Sequence, residues 1–153
     1  GFLALYVGIA CGATAVLIPE REVDLEKDVI RRIQNARLAG HTHFMIIVAE
    51  GAGKAYDVAK VIKEGVGIDP RVTVLGHIQR GGSPNVRDRE TATRMGYYAV
   101  NALAAGRYNC IIGTKEGAIK EIPIEEALLM TKSIQMDRYS ILETMGIDNS
   151  KIH

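Results

Sequence analysis

Three short apolar runs, separated by segments with helical periodicity, constrain the fold of this chain more than any other feature. The runs lie over residues 15–18, 44–49 and 72–75. Continuous apolar runs of this length are typical of parallel strands that are buried on both faces. Apolar residues recur at helical spacing over about 24–40 and 54–66. This alternation predicts an α/β fold, in which a parallel sheet has helices on both faces.

The second half of the chain carries different elements. Residues 86–105 keep helical spacing throughout and predict one long helix. The segment CIIGTKEGAIKEI predicts a β-hairpin that turns at Glu116–Gly117, because a glycine in a two-residue turn suits the hairpin geometry. We expect a short helix opened by Pro123 and a last helix around 138–145.

No charged residue occurs between Gly1 and Pro19. This stretch is long enough for a membrane span of about 20 residues, so a membrane-anchored domain is one interpretation. We favour a buried helix over about residues 1–11, a turn at Gly12 and a strand that ends before Pro19. Because the chain begins without methionine inside an apolar run, we expect it to be part of a longer protein.

The composition argues against several classes of protein. Its 153 residues suffice for one ordinary domain with a core, and 47% hydrophobic with 24% charged residues is typical of a soluble globular protein. A net charge of +1 and 5% aromatic residues do not suit a nucleic-acid partner. The two cysteines have no metal-binding spacing, and we expect a cytosolic protein with no membrane partner.

Polar residues follow two of the predicted strands directly. Glu50 comes after the second run, and the stretch from Gly76 to Gly82 comes after the third. Ligands of open parallel sheets bind outside the carboxyl ends of the strands. We therefore expect Glu50 to face one crevice with His77 and Arg80.

These residue types suit a phosphorylated sugar. Arg80 offers a planar fork of donors for a phosphate and His77 a second donor, while Gly81 and Gly82 let the backbone approach an anion. Glu50 can accept hydrogen bonds from hydroxyl groups. Taken singly, each residue also has a structural explanation, such as a surface histidine, a turn arginine or a helix-capping glutamate. Only their convergence at one sheet edge favours a site.

Two other features need a separate explanation. The segment EGAGK resembles a phosphate loop, but Val48 and Ala55 stand where that motif needs a glycine and a hydroxyl residue, so we expect no nucleotide site there.

Arg71 stands at the start of the predicted third strand, roughly 20 Å from His77 if the chain between them is extended. Arg71 is then either a solvated residue or serves a pocket on a neighbouring subunit.

The segment RVTVLGHIQRGGSP, with IIVAEG upstream and Asp88–Arg89 downstream, closely resembles bacterial 6-phosphofructokinases. These cytoplasmic homotetramers transfer a phosphoryl group from ATP to fructose 6-phosphate in glycolysis. The resemblance implies that Glu50 binds sugar hydroxyls and that His77 and Arg80 bind the substrate of the same subunit. It implies that Arg71 reaches the 6-phosphate of a neighbouring subunit.

The resemblance also implies that the two halves of the family's chain bind different ligands. ATP and Mg²⁺ are bound mainly by the family's N-terminal half, which carries the catalytic aspartate. This chain then supplies no catalytic or metal-binding residue and is inactive alone. Residues 1–82 correspond to a Rossmann-like lobe that binds fructose 6-phosphate, and residues 83–135 pack on the missing nucleotide lobe. Residues 136–153 return to the first lobe.

One departure from the family concerns regulation. Allosteric members usually carry a basic pair before the strand that leads to Glu50, where this chain has His41 and Thr42, and an acid where it has Thr14. Because these replacements are mostly neutral at pH 7, we expect weak control by nucleoside diphosphate and phosphoenolpyruvate. Two further alternatives remain open: a non-catalytic sugar-phosphate-binding module of this fold and a pyrophosphate-dependent relative.

Overall fold

The uncharged first segment folds as a helix, a glycine turn and a strand. In the computed structural model, which describes residues 1–145, α1 spans Phe2–Cys11. Gly12 takes a left-handed conformation (φ 61°) that only glycine adopts easily, and β1 follows at Ala15–Leu17. The predicted helix and strand are confirmed, but the expected burial of the helix is only partly met, because Leu5 and Gly8 are buried whereas Leu3, Tyr6 and Val7 are exposed. No helix among residues 1–145 is long and apolar enough to cross a membrane.

The chain divides into two units, which are described separately. Unit one comprises Gly1–Val74 with the described part of Ser133–His153, and unit two comprises Leu75–Lys132. The boundaries predicted from the sequence, after residues 82 and 135, lie a few residues farther along the chain. Residues 146–153 of the predicted C-terminal part lie outside the described residues.

Unit one contains a two-stranded parallel sheet. β1 pairs with β2 (Ile46–Val48), and Val16 lies opposite Ile47. A π-helical turn at Glu26–Ile30 continues directly into a helix, and two further helices follow in the described part of the unit. These helices are α2 (Arg31–Leu38), α3 (Ala55–Val66) and α6 (Met136–Met145).

Helices cover both faces of this sheet. Val16 and Ile18 belong to a buried cluster that includes Leu5 of α1 and Tyr139 and Leu142 of α6. The residue between them, Leu17, belongs to a second cluster formed with residues of the π-helical turn, α2 and α3. Because successive side chains of a strand point to opposite faces, β1 is buried on both sides. The predicted α/β fold is confirmed.

The predicted third strand over residues 72–75 is wrong. The structure gives residues 71–75 no regular secondary structure, and Val74 is 65% exposed. An apolar run has strand propensity, but a strand forms only where another strand takes its backbone hydrogen bonds. In the described part of unit one the sheet has the order β1-β2 and no third member.

A buried ion pair connects α6 to the rest of unit one. Asp28, which is 1% exposed, accepts two hydrogen bonds of 2.6 and 2.8 Å from Arg21 and one of 3.0 Å from the backbone N–H of Asp24. The Arg21 guanidinium lies 4.9 Å from the ring centre of Tyr139, whose hydroxyl donates to the carbonyl of Val16. Burial raises the pKa of the Tyr139 hydroxyl above its ordinary value.

Unit two is built from a long helix and a hairpin. The hairpin turns at Glu116 and Gly117, both with positive φ (54° and 80°), as its two-residue turn requires. The predicted long helix and hairpin are confirmed, and the short helix begins one residue after Pro123. The elements are α4 (Val86–Ala104), β3 (Cys110–Lys115), β4 (Ala118–Pro123) and α5 (Ile124–Leu129).

Replacing Gly8 by alanine tests the contact between α1 and β1. A Cβ at Gly8 would overlap Cγ2 of Val16, so we expect Gly8→Ala to lower the free energy of unfolding by about 1–3 kcal/mol. Gly96→Ala in α4 is the matched control, because nothing lies within 4 Å of the added Cβ, and should raise it by about 0.5–1 kcal/mol. Urea unfolding followed by circular dichroism measures both, and a Gly8→Ala chain as stable as wild type would contradict the close contact.

Candidate functional site

Glu50 lies at the carboxyl end of β2, on the surface of unit one. The N–H of Ala49 donates to the carbonyl of Leu17 at 2.9 Å, which extends the pairing of the two strands by one bond. The chain then turns through a 3₁₀ segment, Glu50–Ala52, closed by a 2.9 Å bond from the N–H of Ala52 to the carbonyl of Ala49. This turn presents the Glu50 side chain to solvent at the sheet edge where ligands bind.

Helix capping does not account for Glu50. The residue at the N-cap of α3 is Lys54, and its side chain makes no capping hydrogen bond. The carboxylate of Glu50 forms no ion pair with the basic residues of the described chain. It therefore remains an available acceptor for hydroxyl groups.

His77 and Arg80 lie together on a 3₁₀ turn of unit two. The turn spans Gly76–Arg80, and both side chains are exposed. Because a 3₁₀ helix has three residues per turn, residues three apart lie on the same face. The structure therefore brings an imidazole and a guanidinium onto one face, with Gly81 and Gly82 directly after them. Gly82 has φ 129°, a conformation that disfavours other residues.

The Asp88–Arg89 pair closes this loop and has a structural role. The Asn85 side chain accepts from the N–H of Asp88, and the Asp88 carboxylate accepts from the N–H of Asn85, both at 3.0 Å. This reciprocal capping box uses donors at the start of α4 that would otherwise be free. Arg89 donates to the carbonyl of Pro84 at 3.4 Å. An anion at this loop must therefore be held by side chains and glycine N–H groups more than by the start of α4.

Arg71 lies in unit one, exposed, in the segment without regular structure. The separation of roughly 20 Å from His77 assumed an extended strand between them. The structure has no strand over residues 72–75, and the role of Arg71 stays a prediction.

The four predicted substrate residues are divided between the two units. Glu50 and Arg71 belong to unit one, and His77 and Arg80 belong to unit two. The structure groups His77 with Arg80 on one turn. The expected common crevice with Glu50 stays a prediction.

The predicted effector residues occupy the opposite, amino edge of the sheet in unit one. The Thr14 hydroxyl accepts from the N–H of Met45 at 3.2 Å, and the N–H of Thr14 donates to the carbonyl of Met45 at 2.8 Å. The N–H of His41 bonds the carbonyl of Ala36 at the end of α2, and its side chain and that of Thr42 are exposed. Thr14 is thus part of the strand pairing, whereas the other two side chains face solvent.

The donor groups of the described chain do not fit a metal centre. Among residues 1–145, no group of three or more histidine, cysteine, aspartate or glutamate side chains is placed to hold a metal ion. Both cysteines are free thiols, and Cys11 is exposed.

The chain is similar to known phosphofructokinases in sequence. The family model described as phosphofructokinase matches residues 1–103. The chain is 43% identical over 141 residues to an ATP-dependent 6-phosphofructokinase of Clostridium botulinum strain Hall, covering 92% of this chain and 44% of the relative. It is 44% identical over 147 residues to the enzyme of that name from Bacillus thuringiensis strain Al Hakam, covering 96% and 46%. The chain therefore spans less than half the length of these curated relatives.

Solved structures agree with the sequence relatives. Pichia pastoris phosphofructokinase in the T-state has a TM-score of 0.74 and 33% identity, covering 98% of this chain and 17% of that one. The phosphofructokinase of Saccharomyces cerevisiae has a TM-score of 0.75 and 31% identity, covering 95% and 20%.

Proposed function

The chain belongs to the phosphofructokinase family, and on that premise we propose that it is part of a 6-phosphofructokinase. The enzyme transfers the γ-phosphoryl group of ATP to O1 of fructose 6-phosphate and yields fructose 1,6-bisphosphate in glycolysis. One observation carries this proposal: the segment LGHIQRGGSP, residues 75–84, presents His77 and Arg80 on one exposed face of a turn.

In this proposal the chain binds and orients the sugar phosphate. Arg80 donates two parallel hydrogen bonds to the 6-phosphate, and His77 donates a third. Glu50 accepts hydrogen bonds from sugar hydroxyls, which orients the ring. Phosphoryl transfer depends mainly on positioning and charge neutralisation, so fixing the sugar is a direct contribution to the reaction.

ATP and Mg²⁺ belong, in this proposal, mainly to the N-terminal half of the family's chain. Magnesium neutralises charge on the transferred phosphoryl group there. The described residues of this chain offer no donor set for the ion, so we assign them no step that involves it. By itself the chain should not phosphorylate fructose 6-phosphate.

We assign the segment 83–135 to contact with the nucleotide lobe. Support comes from α4, in which Ala102 is the one buried residue while Tyr97, Val100 and Leu103 are exposed. A long helix that exposes such residues normally has a partner surface. Of the predicted segment 136–153, we assign the described part, α6, to the first lobe, because α6 shares a buried cluster with α1 and β1. The complete enzyme is proposed to be a cytoplasmic homotetramer.

Arg80→Ala in the full-length enzyme tests the proposed function. Loss of a charge-assisted bond to phosphate should raise the KM for fructose 6-phosphate at least about tenfold and leave the KM for ATP unchanged. Arg87→Ala is the matched control for the KM for fructose 6-phosphate, because this arginine is also exposed but is not among the residues proposed to bind the sugar. Steady-state kinetics measures both variants. An unchanged KM in Arg80→Ala would refute the site, and binding without turnover in the wild-type enzyme would favour a non-catalytic module.

Arg71→Ala tests whether the substrate site crosses a subunit interface. We expect weaker binding of fructose 6-phosphate, by about tenfold, in the assembled enzyme, because a phosphate contact from the neighbouring subunit is lost. Calorimetric titration measures the affinity, and size-exclusion chromatography checks that the oligomer is intact. Wild-type affinity in an intact oligomer would show that Arg71 is a solvated surface residue.

The effector residues predict weak allosteric control. A histidine and a threonine at positions 41 and 42 lack the permanent positive charges with which a lysine pair holds an anion. Phosphoenolpyruvate should therefore inhibit the full-length enzyme weakly, and the double substitution of His41→Lys with Thr42→Lys should strengthen inhibition several-fold. Strong inhibition of the wild-type enzyme in phosphoenolpyruvate titrations would contradict this assignment.

A further inference from the structure

The turn that carries Glu50 rests against the end of β1. The N–H of Ala49, immediately before Glu50, bonds the carbonyl of Leu17. Gly51, immediately after Glu50, lies against the ring of Pro19: a Cβ at Gly51 would be 3.1 Å from both Cβ and Cγ of that ring. Both neighbours of the glutamate are therefore fixed by residues at the end of the same strand.

The close approach of the Pro19 ring, rather than an unusual backbone conformation, explains why residue 51 is a glycine. Its φ lies outside the left-handed region, so another residue could adopt its backbone angles. The space for a side chain is instead occupied by the proline ring. The ring itself has little freedom, because proline locks its own φ and Ile18 before it is completely buried.

We propose that Pro19 and Gly51 are positioning residues, which set the place of the Glu50 carboxylate for the hydroxyl groups of the sugar. This inference rests on the role proposed above for Glu50. An added methyl group at position 51 must push the turn away from the ring by a few tenths of an ångström. Hydrogen bonds weaken steeply outside a narrow range of distance and angle, so a shift of this size weakens sugar binding without removing the acid.

The experiment uses Gly51→Ala in the full-length enzyme. The KM for fructose 6-phosphate should rise about three- to tenfold while the KM for ATP and the melting temperature stay close to wild type. Gly113→Ala in β3 is the matched control, because nothing lies within 4 Å of its added Cβ, and should leave both KM values unchanged. Equal KM values for Gly51→Ala and wild type would overturn the inference.

A second substitution at Pro19 tests whether Gly51→Ala acts through contact with the proline ring or by disturbing the fold in general. Pro19→Gly removes the ring, so in a double-mutant cycle Gly51→Ala should raise the KM much less in the Pro19→Gly background. If Pro19→Gly folds poorly, Pro19→Ala, which removes Cγ but keeps Cβ, should restore part of the affinity. Failure of both backgrounds to restore it would show that the two residues do not act on Glu50 through this contact.

Glu50→Gln separates this inference from the proposed function. If Glu50→Gln leaves the KM for fructose 6-phosphate unchanged, the assigned role of Glu50 is wrong and the positioning role falls with it. If Glu50→Gln raises the KM and Gly51→Ala does not, the proposed function stands and the positioning role alone is refuted.

Discussion

The rest of unit one packs around β1, which is buried on both faces and whose carbonyl groups accept hydrogen bonds from two other parts of the unit. Val16 and Ile18 fill one buried cluster, and Leu17 fills the other. The carbonyl of Val16 accepts from Tyr139 of α6, and that of Leu17 accepts from Ala49 beside the acidic turn. A charge on either face of this strand would be buried without a partner, at a cost of several kcal/mol, which explains why residues 15–18 carry none.

Asp28 is the one buried charged residue in the described part of unit one, and it is tolerated because it is fully hydrogen-bonded. Asp28 receives both donors of the Arg21 fork and a backbone N–H, so neither carboxylate oxygen lacks a partner. Buried pairs of this kind contribute little net stability compared with apolar packing, but removing one partner is costly. Because the Arg21 guanidinium also lies over the Tyr139 ring, the pair contacts α6, which the ion pair between Arg32 and Glu143 contacts as well.

An element of the fold could be predicted from the sequence where the residues of the element itself determine its structure. α1, the long helix and the hairpin at Glu116–Gly117 follow from glycine positions and periodicity, and the structure has them. The run 72–75 has the same kind of signal for a strand, but a strand needs a partner that a local pattern cannot supply. The shared face of His77 and Arg80 could have been found from their spacing of three, once a 3₁₀ turn was considered. The contact between Pro19 and Gly51 could not have been predicted from the sequence. The two residues are far apart along the chain, and the contact depends on glycine having no side chain there.

The exposure of the proposed binding groups has a consequence for affinity. Glu50, His77 and Arg80 lie on the surfaces of their units, where water and salt screen their charges and an exposed ionic contact contributes at most about 1 kcal/mol. The same contacts contribute far more once water is excluded around them. The turns of this chain present these groups to solvent, and in the proposed enzyme we expect water to be excluded from around the bound sugar phosphate. We therefore expect a sugar phosphate to bind the proposed complete enzyme more tightly than it binds this chain alone.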